Sequence, residues 1–393
     1  MTVSKLVFVP LSYTGWGALD HLIPETKKHS PRKILIVTDP MLEKLGLTKQ
    51  VTEPLQNEGY EVILYTEVVP EPPIAIGEKL AKFTRSGGFD MVIGFGGGSA
   101  LDLAKVASAM AAHEGNVADY LNLSGTKKIS KKGLPMILIP TTSGTGSEVT
   151  NIAVLSLETT KDVITHDYLL ADAAIVDPVL TVSVPAKVTA ATGIDALTHA
   201  VEAYVSVNAS PATDALALQA IRLIAGSLRQ AVNNGEDKQA RTDMSLGSYL
   251  AGLAFFNAGV AGVHALAYPL GGQFHIAHGD SNAVLLPYVI GYIRKSCMSR
   301  MADILEALDG NSAYLSDEQA SRRCVEELVR IVNDVGIPQT LQGFDVPESA
   351  LEPLTADAVK QKRLLARSPM ELAEDDIRKI YRSAFDGIVT EPT

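Results

Sequence analysis

The sequence predicts two domains, an N-terminal α/β domain built on a parallel sheet and an all-α C-terminal domain. In the first half of the chain, short β-branched runs alternate with helical patterns, which is typical of a parallel sheet covered by helices. After Asp177 and Pro178 the strand patterns stop and long helical patterns continue to the end. The length of 393 residues, 46% of them hydrophobic, also exceeds what one core usually supports.

The individual elements follow from hydrophobic periodicity. Apolar runs predict buried strands at 33–38, 61–65, 91–95 and 136–139, and an amphipathic pattern predicts a helix at 74–85. Later helices are predicted from Pro185 onward, including 212–231, 321–335 and 375–385. The change of periodicity predicts domains 1–180 and 181–393, and we expect a cleft between them.

Composition narrows the classes of function. The formal net charge is −11 and the basic residues are scattered among acidic ones, so a nucleic-acid partner is not expected. Cys297 and Cys324 lie outside any CxxC arrangement, which argues against a disulfide framework or a thiolate zinc site. We find no signal-peptide pattern and no apolar run near the roughly 20 residues of a membrane span. A soluble cytoplasmic protein with no membrane partner is expected.

A first glycine-rich loop, Gly-Gly-Gly-Ser at 96–99, lies between a predicted strand and a helical pattern at 100–112. Backbone amides and a helix N-terminus that meet at one point bind phosphate. We expect Ser99 to be the N-cap and Asp102, three residues later, to complete a capping box. A purely structural glycine turn is the alternative.

Two further features suit a nucleotide. Asp39 ends the predicted strand 33–38, where its carboxylate would accept hydrogen bonds from an adenosine ribose and repel a 2′-phosphate, although an Asp-Pro turn is the alternative. The order differs from the usual dinucleotide motif, in which the acid follows the glycines. A second loop at 140–148, Pro-Thr-Thr-Ser-Gly-Thr-Gly-Ser-Glu, gathers hydroxyls and amides that suit a ribose-phosphate.

Four residues form a candidate metal site. Asp195 and His199 lie four residues apart on a predicted helix and therefore on one face. His264 and His278 lie in a glycine-rich, strongly apolar stretch, where a hydrogen-bonded core histidine is the alternative. Taken together, one carboxylate and three imidazoles suit Fe²⁺, Zn²⁺ or Mn²⁺. Glu202, on the same helix as Asp195, is either a support for a ligand or part of a solvated face.

These motifs make the sequence similar to the iron-containing (group III) alcohol dehydrogenase family over nearly the whole chain. The matching stretches fall in the family's order, at 96–105, 140–148, 191–202 and 278–283. The resemblance implies a Rossmann-like N-terminal domain and a helical C-terminal domain, the dehydroquinate synthase-like architecture, with a metal and a nicotinamide that meet in the cleft. It also implies a homodimer or a larger homo-oligomer.

The resemblance assigns roles to individual residues. The implied metal ligands are Asp195, His199, His264 and His278. The implied cofactor-binding residues are Asp39, which favours NAD, then Gly96, Gly97, Gly98, Ser99, Asp102, Thr141, Thr142, Thr145, Ser147 and Lys161. Asn151 and Phe255 are candidate substrate-pocket residues because they are close to matched motifs in the sequence.

Two departures from the family pattern affect the assignments. Tyr268 stands where many relatives carry a further histidine, so a proton relay through that position cannot be transferred, and Tyr268 instead becomes a candidate for shaping the pocket. His275 is a candidate for the proton path, with a structural role as the alternative. Glu71 replaces the asparagine of the family's Pro-Asn-Pro near the adenosine.

The expected activity is the interconversion of a small aldehyde and its primary alcohol with NAD(H) and one divalent metal, Fe²⁺ before Zn²⁺ or Mn²⁺. The metal would polarise the carbonyl oxygen as hydride arrives. Aldehydes with a second polar or anionic group remain possible substrates. The alternatives are a polyol (glycerol-type) dehydrogenase, a lyase similar to dehydroquinate synthase, and a non-catalytic nucleotide-binding protein.

Overall fold

The computed structural model describes residues 3–158, 160–310 and 312–392, and the chain forms two compact units. An α/β unit comprises Phe8–Ser183, and a helical unit comprises Val184–Thr393 together with Met1–Val7. Asn257 fixes the N-terminal segment to the helical unit, since its side chain accepts a hydrogen bond from Val7 N at 2.7 Å and donates one to Val7 O at 3.0 Å. The predicted domain 1–180 had included this segment.

The α/β unit contains a parallel sheet and a separate antiparallel hairpin. Its strands are β1 (Ser12–Thr14), β2 (Lys33–Val37), β3 (Glu61–Tyr65), β4 (Met91–Gly96), β5 (Met136–Pro140), β6 (Ile152–Ser156), β7 (Lys161–Thr165) and β8 (Ala173–Val176). Among the described residues, the larger sheet has six strands in the order β1-β8-β5-β4-β2-β3, and every pair in it is parallel. The hairpin pairs β6 with β7. The predicted parallel sheet is confirmed.

Helices cover this sheet, as the alternation of patterns predicts. They are α1 (Leu22–His29), α2 (Pro40–Lys44), α3 (Lys49–Asn57), α4 (Ile74–Gly87) and α5 (Gly98–Ala111). The core between them is built from β-branched and aromatic side chains of the central strands, with Ile36, Ile93, Phe95 and Ile139 fully buried. Each such side chain contributes roughly 1.5–3 kcal/mol by leaving water.

The helical unit contains the remaining helices, and the long ones are as predicted. They are α6 (Ala186–Val205), α7 (Pro211–Asn233), α8 (Lys238–Ala258), α9 (Gly262–Phe274), α10 (His278–Ile293), α11 (Met298–Asp309), α12 (Asp317–Asp334), α13 (Leu351–Ala358), α14 (Lys362–Leu365) and α15 (Glu374–Asp386). Helix α6 packs against α7, α8 and α10, so most of its residues are buried. A polar residue on α6 is therefore held inside the unit.

Within the described part of the chain, no single helix is long and apolar enough to cross a bilayer. Helices α8 and α9 meet the length and composition criteria only together, across a bend of 104°.

Candidate metal and nucleotide sites

Asp195, His199, His264 and His278, here called the Asp195 cluster, converge in the helical unit. Helix α6 supplies the first two, α9 supplies His264, and His278 is the first residue of α10. Each residue offers one ligand atom, and these atoms lie within 4.8 Å of one another. Asp195 Oδ1 is 3.6 Å from His278 Nε2, 3.9 Å from His264 Nε2 and 4.0 Å from His199 Nε2. Residues far apart in the sequence therefore form one group of nitrogen and oxygen donors.

The burial of these residues, the spacing of their ligand atoms and the types of those atoms all suit a divalent ion. Asp195, His199 and His264 are at most 4% exposed, whereas the side chain of His278 is 25% exposed. A ligand nitrogen or oxygen lies about 2.1 Å from such an ion, so two ligand atoms on one ion are at most about 4.2 Å apart. The three distances from Asp195 meet this limit. The described cluster contains no sulfur ligand, which favours Fe²⁺, Zn²⁺ or Mn²⁺.

Asp195 is held in its ionised form. Burial by itself raises the pKa of its carboxyl group, but His199, His278 and His264, together with Asn282, outweigh burial and leave that pKa below its ordinary value. The side-chain amide of Asn282 donates to Asp195 Oδ1 at 2.7 Å. These neighbours therefore favour the negatively charged form of the Asp195 carboxyl group in the cluster.

Glu202 lies one turn beyond His199 on α6 and is only 1% exposed. One of its oxygens is 2.5 Å from His264 Nδ1 and the other accepts from Val263 N at 2.6 Å. Of the two alternatives that the sequence left open, a solvated face is therefore wrong. Glu202 supports a residue of the cluster.

Aromatic rings adjoin the cluster. Phe255, on α8, stacks on His199 with ring centroids 4.2 Å apart and an interplanar angle of 18°. The buried ring of Tyr268 lies 6.2 Å from that of His278. His275 instead caps the C-terminal end of α9, where it is exposed and has a φ of 55°. The structure thus brings Phe255 and Tyr268, but not His275, into the described ring contacts of the cluster.

Sequence motifs did not reveal Arg367, which also belongs to this region. Its side chain lies against Gly259, where a Cβ atom would come within 2.4 Å of the Arg367 Cδ atom. Burial, followed by Arg363, lowers the pKa of this guanidinium, whereas Tyr268 and Glu202 act in the opposite sense. Arg367 lies 108 residues from Gly259, 99 from Tyr268 and 165 from Glu202 in the sequence, and no local pattern links them.

The backbone conformation of the first loop favours glycine. Gly96 has a φ of 154°, and a Cβ there would lie 2.8 Å from Ala100 Cβ, so both conformation and space favour glycine. The expected capping box is wrong, because α5 begins at Gly98 and its N-cap is Gly97, with no side-chain cap. Ser99 therefore lies inside the first turn. Ala100 N donates to Gly97 O at 3.0 Å, and the amides of Gly98 and Ser99 precede it at the helix N-terminus, where an anion is favoured.

Asp102 makes contacts other than the expected cap. Its Oδ1 accepts a hydrogen bond from Ser147 Oγ at 2.5 Å, and its Oδ2 accepts one from Val154 N at 2.9 Å. The fully buried ammonium group of Lys105 lies 3.3 Å from Asp102 Oδ1 and donates to Ser147 Oγ at 2.7 Å. The side chains of Asp102 and Ser147 thus join α5 to the second loop.

The two loops contact each other directly. Thr141 N donates to Gly96 O at 3.0 Å. A Cβ on Gly98 would lie 2.7 Å from Thr145 Cγ2, and Thr142 lies beside the same loop. The structure therefore brings together the loops that the sequence predicted separately.

Asp39 fits both alternatives weighed for it. Its Oδ1 accepts from Met41 N at 2.9 Å and Leu42 N at 3.0 Å, so it caps α2. Its Oδ2 lies 3.5 Å from the position that a Cβ on Gly96 would occupy. Asp39 is thus a helix cap that also borders the first loop.

The remaining predicted residues of the α/β unit lie on the hairpin or next to it. Lys161 begins β7, is buried, and forms an ion pair with Glu71. Asn151 precedes β6, donates to Asp167 Oδ1 at 2.8 Å and accepts from Thr165 Oγ1 at 3.3 Å. Lys161 and Asn151 are therefore already engaged by neighbouring side chains.

Glu148, at the end of the second loop, makes the free energy of unfolding depend on pH. Burial raises the pKa of its carboxyl group to about 7, against the weaker opposite effects of its own backbone and of Lys105. A carboxyl whose pKa is raised by folding stabilises the fold fully below its unfolded pKa of 4.5 and loses that contribution as the pH rises through about 7.

We expect Glu148→Gln, which cannot ionise, to gain stability relative to the unmodified chain as the pH rises. The difference in unfolding free energy should grow by about 3 kcal/mol between roughly pH 4.5 and pH 7. Denaturant titrations followed by circular dichroism would measure it, with the exposed Glu53→Gln as the matched control. Parallel stability curves for the chain and the Glu148 variant would contradict the assignment.

The comparisons with known proteins agree with this architecture. Residues 10–178 match the family model for iron-containing alcohol dehydrogenases, and residues 189–385 match the model for the C-terminal part of the Fe-containing alcohol dehydrogenase family. The chain belongs to the iron-containing alcohol dehydrogenase family. The family, fold and enzyme class predicted from the sequence are thereby confirmed.

Individual members of this alcohol dehydrogenase family match along nearly their whole length. Long-chain-alcohol dehydrogenase 1 of Geobacillus thermodenitrificans is 73% identical over 392 residues, which cover 100% of this chain and 99% of the relative. The NAD-dependent methanol dehydrogenase of Bacillus methanolicus is 35% identical, with 96% and 98% covered. The crystal structure of a 1,3-propanediol oxidoreductase has a TM-score of 0.93 and 37% identity, with 98% and 100% covered.

Proposed function

We propose that this chain interconverts an aldehyde and its primary alcohol by hydride exchange with NAD(H), using one divalent metal held by the Asp195 cluster. The observation that carries the proposal is the convergence of three imidazoles and one ionised carboxylate inside the helical unit of a chain of this family. A non-catalytic nucleotide-binding protein would have no use for such a buried donor set.

The metal we propose is Fe²⁺, with Zn²⁺ and Mn²⁺ as the ions that the same nitrogen and oxygen ligands accept. A bound divalent ion polarises a carbonyl oxygen and stabilises the negative charge that develops there as hydride arrives. Among the chain's own residues, Asp195 supplies the negative ligand, and the stacked ring of Phe255 excludes water from one face of His199. We propose that Tyr268 shapes the pocket beside His278 and that His275 serves the proton path to solvent.

We propose that the nucleotide binds to the two loops of the α/β unit. The uncapped first-turn amides of α5 and Gly96, Gly97, Gly98 and Ser99 would hold the pyrophosphate. The hydroxyls of Thr141, Thr142 and Thr145 would lie on the nicotinamide side, and Lys161, which pairs with Glu71, would lie beside the cofactor. Asp102 and Ser147 would act indirectly, because their hydrogen bond holds the two loops together.

For the substrate, the 73% identity to a protein named for long-chain alcohols supports an alkyl chain longer than the small aldehyde expected from the sequence. We therefore propose a primary alcohol with an extended alkyl chain, and the corresponding aldehyde. The polyol dehydrogenase and the lyase remain the alternatives within this architecture.

A reconstitution assay tests the proposal. The protein is purified metal-free and reloaded separately with Fe²⁺, Zn²⁺ and Mn²⁺, and NADH oxidation is followed with unbranched aldehydes from acetaldehyde to tetradecanal, with glycerol oxidation as the polyol arm. We expect metal-dependent turnover whose kcat/KM increases with alkyl length. Turnover that is equal with and without metal, or confined to glycerol, would sink the proposal.

The Asp39 carboxylate gives a prediction about cofactor choice. Asparagine caps helices about as well as aspartate, so Asp39→Asn should keep the cap of α2 while it removes the charge. We expect the NADPH/NADH ratio of kcat/KM to rise by about 10-fold or more, because a 2′-phosphate no longer meets a carboxylate. An unchanged ratio in a variant that melts like the unmodified protein would show that Asp39 is a cap alone.

We further propose that the protein acts in the cytoplasm as a homodimer or larger homo-oligomer. The two cysteines, Cys297 and Cys324, are both buried and reduced, and burial raises the pKa of Cys297 to about 11, which fits a reducing compartment. Light scattering coupled to size-exclusion chromatography would give the mass of the assembly, and a monomer would contradict this part.

A further inference from the structure

Both carboxylate oxygens of Glu202 are hydrogen-bonded inside the helical unit. Glu202 lies on α6 and is 1% exposed, and its carboxylate contacts two consecutive residues at the start of α9. Oε1 accepts from Val263 N at 2.6 Å, and Oε2 is 2.5 Å from His264 Nδ1. Because a backbone N–H can only donate, the first contact also fixes which oxygen is left for His264.

These contacts determine where His264 carries its proton. A carboxylate next to Nδ1 is an acceptor, so the proton lies on Nδ1 and the lone pair lies on Nε2. Nε2 is the atom that faces the cluster, 3.9 Å from Asp195 Oδ1. Asn282 supports the same assignment from the other side, because its amide NH₂, which donates to Asp195, also lies 3.2 Å from His264 Nε2.

We propose that Glu202 is a positioning residue, which locks His264 in the tautomer that presents Nε2 to the metal. The inference rests on the metal site of the proposed function. It assigns Glu202 no contact with substrate or cofactor. Its effect on the metal is exerted through His264.

Glu202→Gln is the sharp test because glutamine has the same shape but one acceptor and one donor. If its oxygen keeps the bond to Val263 N, its NH₂ faces His264 Nδ1 and forces the proton onto Nε2. That tautomer cannot ligate through Nε2. The other amide orientation leaves the Val263 N–H opposite a second donor.

The measurement is metal affinity in the full-length protein, by competition of Zn²⁺ with a fluorescent chelator. We expect Glu202→Gln to bind Zn²⁺ about 10–100-fold more weakly than the unmodified chain. The matched control is Glu327→Gln, another buried glutamate of the helical unit, which pairs with Arg229 and Arg330. It should bind within twofold of the unmodified chain. Equal affinities for both variants would overturn the proposal.

A second variant and a second measurement distinguish the loss of the Glu202–His264 contact from misfolding of the Glu202→Gln protein. Glu202→Asp keeps two acceptor oxygens, so it should recover part of the affinity that Glu202→Gln loses. In the metal-free proteins, ¹⁵N chemical shifts of labelled histidine should show His264 protonated at Nδ1 in the unmodified chain and at Nε2 in Glu202→Gln. The same tautomer in both would overturn the proposal even if metal binding changed.

These readouts separate this inference from the proposed function. An unmodified chain that binds no Zn²⁺ at the cluster would end both. Tight binding by the unmodified chain and by Glu202→Gln would end the inference alone. Tight binding without alcohol or aldehyde turnover would end the proposed reaction and leave the role of Glu202 standing.

Discussion

Replacing His264 with alanine is expected to abolish metal binding and to lower NADH-linked aldehyde reduction on the order of 1,000-fold or more, since polarisation of the carbonyl is worth several kcal/mol. His264 is central to the cluster, because its Nε2 faces Asp195 and its ring stacks on His199 with centroids 4.7 Å apart. Its loss removes one of three imidazoles and leaves Glu202 buried without its histidine partner.

The measurement is metal content per chain by mass spectrometry, alongside NADH absorbance with the best aldehyde of the panel. His29→Ala is the matched control, since His29 lies at the end of α1 in the other unit. It should retain full metal content and activity. A His264→Ala protein that still turns over in the absence of added metal would refute the assignment of the cluster as the reaction's metal site.

Replacing Gly98 with valine is expected to weaken NADH binding by about 10–100-fold, which corresponds to roughly 1.4–2.7 kcal/mol. A Cβ at this position would already lie 2.7 Å from Thr145 Cγ2 and 2.8 Å from Thr145 Oγ1. The two loops must then separate, and the amides and hydroxyls proposed to hold the nucleotide move apart. The metal content should not change, because the Asp195 cluster lies in the other unit.

Quenching of protein fluorescence by NADH would measure the dissociation constant. Gly226→Val is the matched control, because a Cβ on Gly226 meets nothing within 4 Å. It should bind NADH like the unmodified chain. Unchanged NADH affinity in a folded Gly98→Val protein would mean that the first loop does not hold the nucleotide.

Much of the architecture was determined by local sequence patterns. The strands β2, β4 and β5 were predicted because each is a short apolar run that is almost entirely buried, and β3, at the edge of the sheet, was predicted from its apolar run although it is only partly buried. The strands β1 and β8 were missed, since a run of three residues and an alanine-containing run of four are too short to show a periodicity. The hairpin β6–β7 was also missed, although β6 alternates between buried and partly buried residues.

Helix termini show a limit of the local patterns. Ser99 and Asp102 have the spacing of a capping box, yet α5 begins before Ser99. The carboxylate of Asp102 instead binds Ser147 and Val154, which lie 45 and 52 residues away. A local motif competes here with tertiary partners, and the buried ammonium group of Lys105 stabilises the tertiary arrangement.

By itself, the sequence determined which residue types are available to a metal and a nucleotide, because the donor chemistry of Asp, His and glycine-rich turns depends on the residues alone. Only the tertiary structure decided that Asp195, His199, His264 and His278 meet, that Glu202 is buried behind His264, and that the first loop touches the second. The physical reason is that helix and strand periodicity fixes which face of an element is apolar. The partners of a buried polar group are chosen by packing between distant elements.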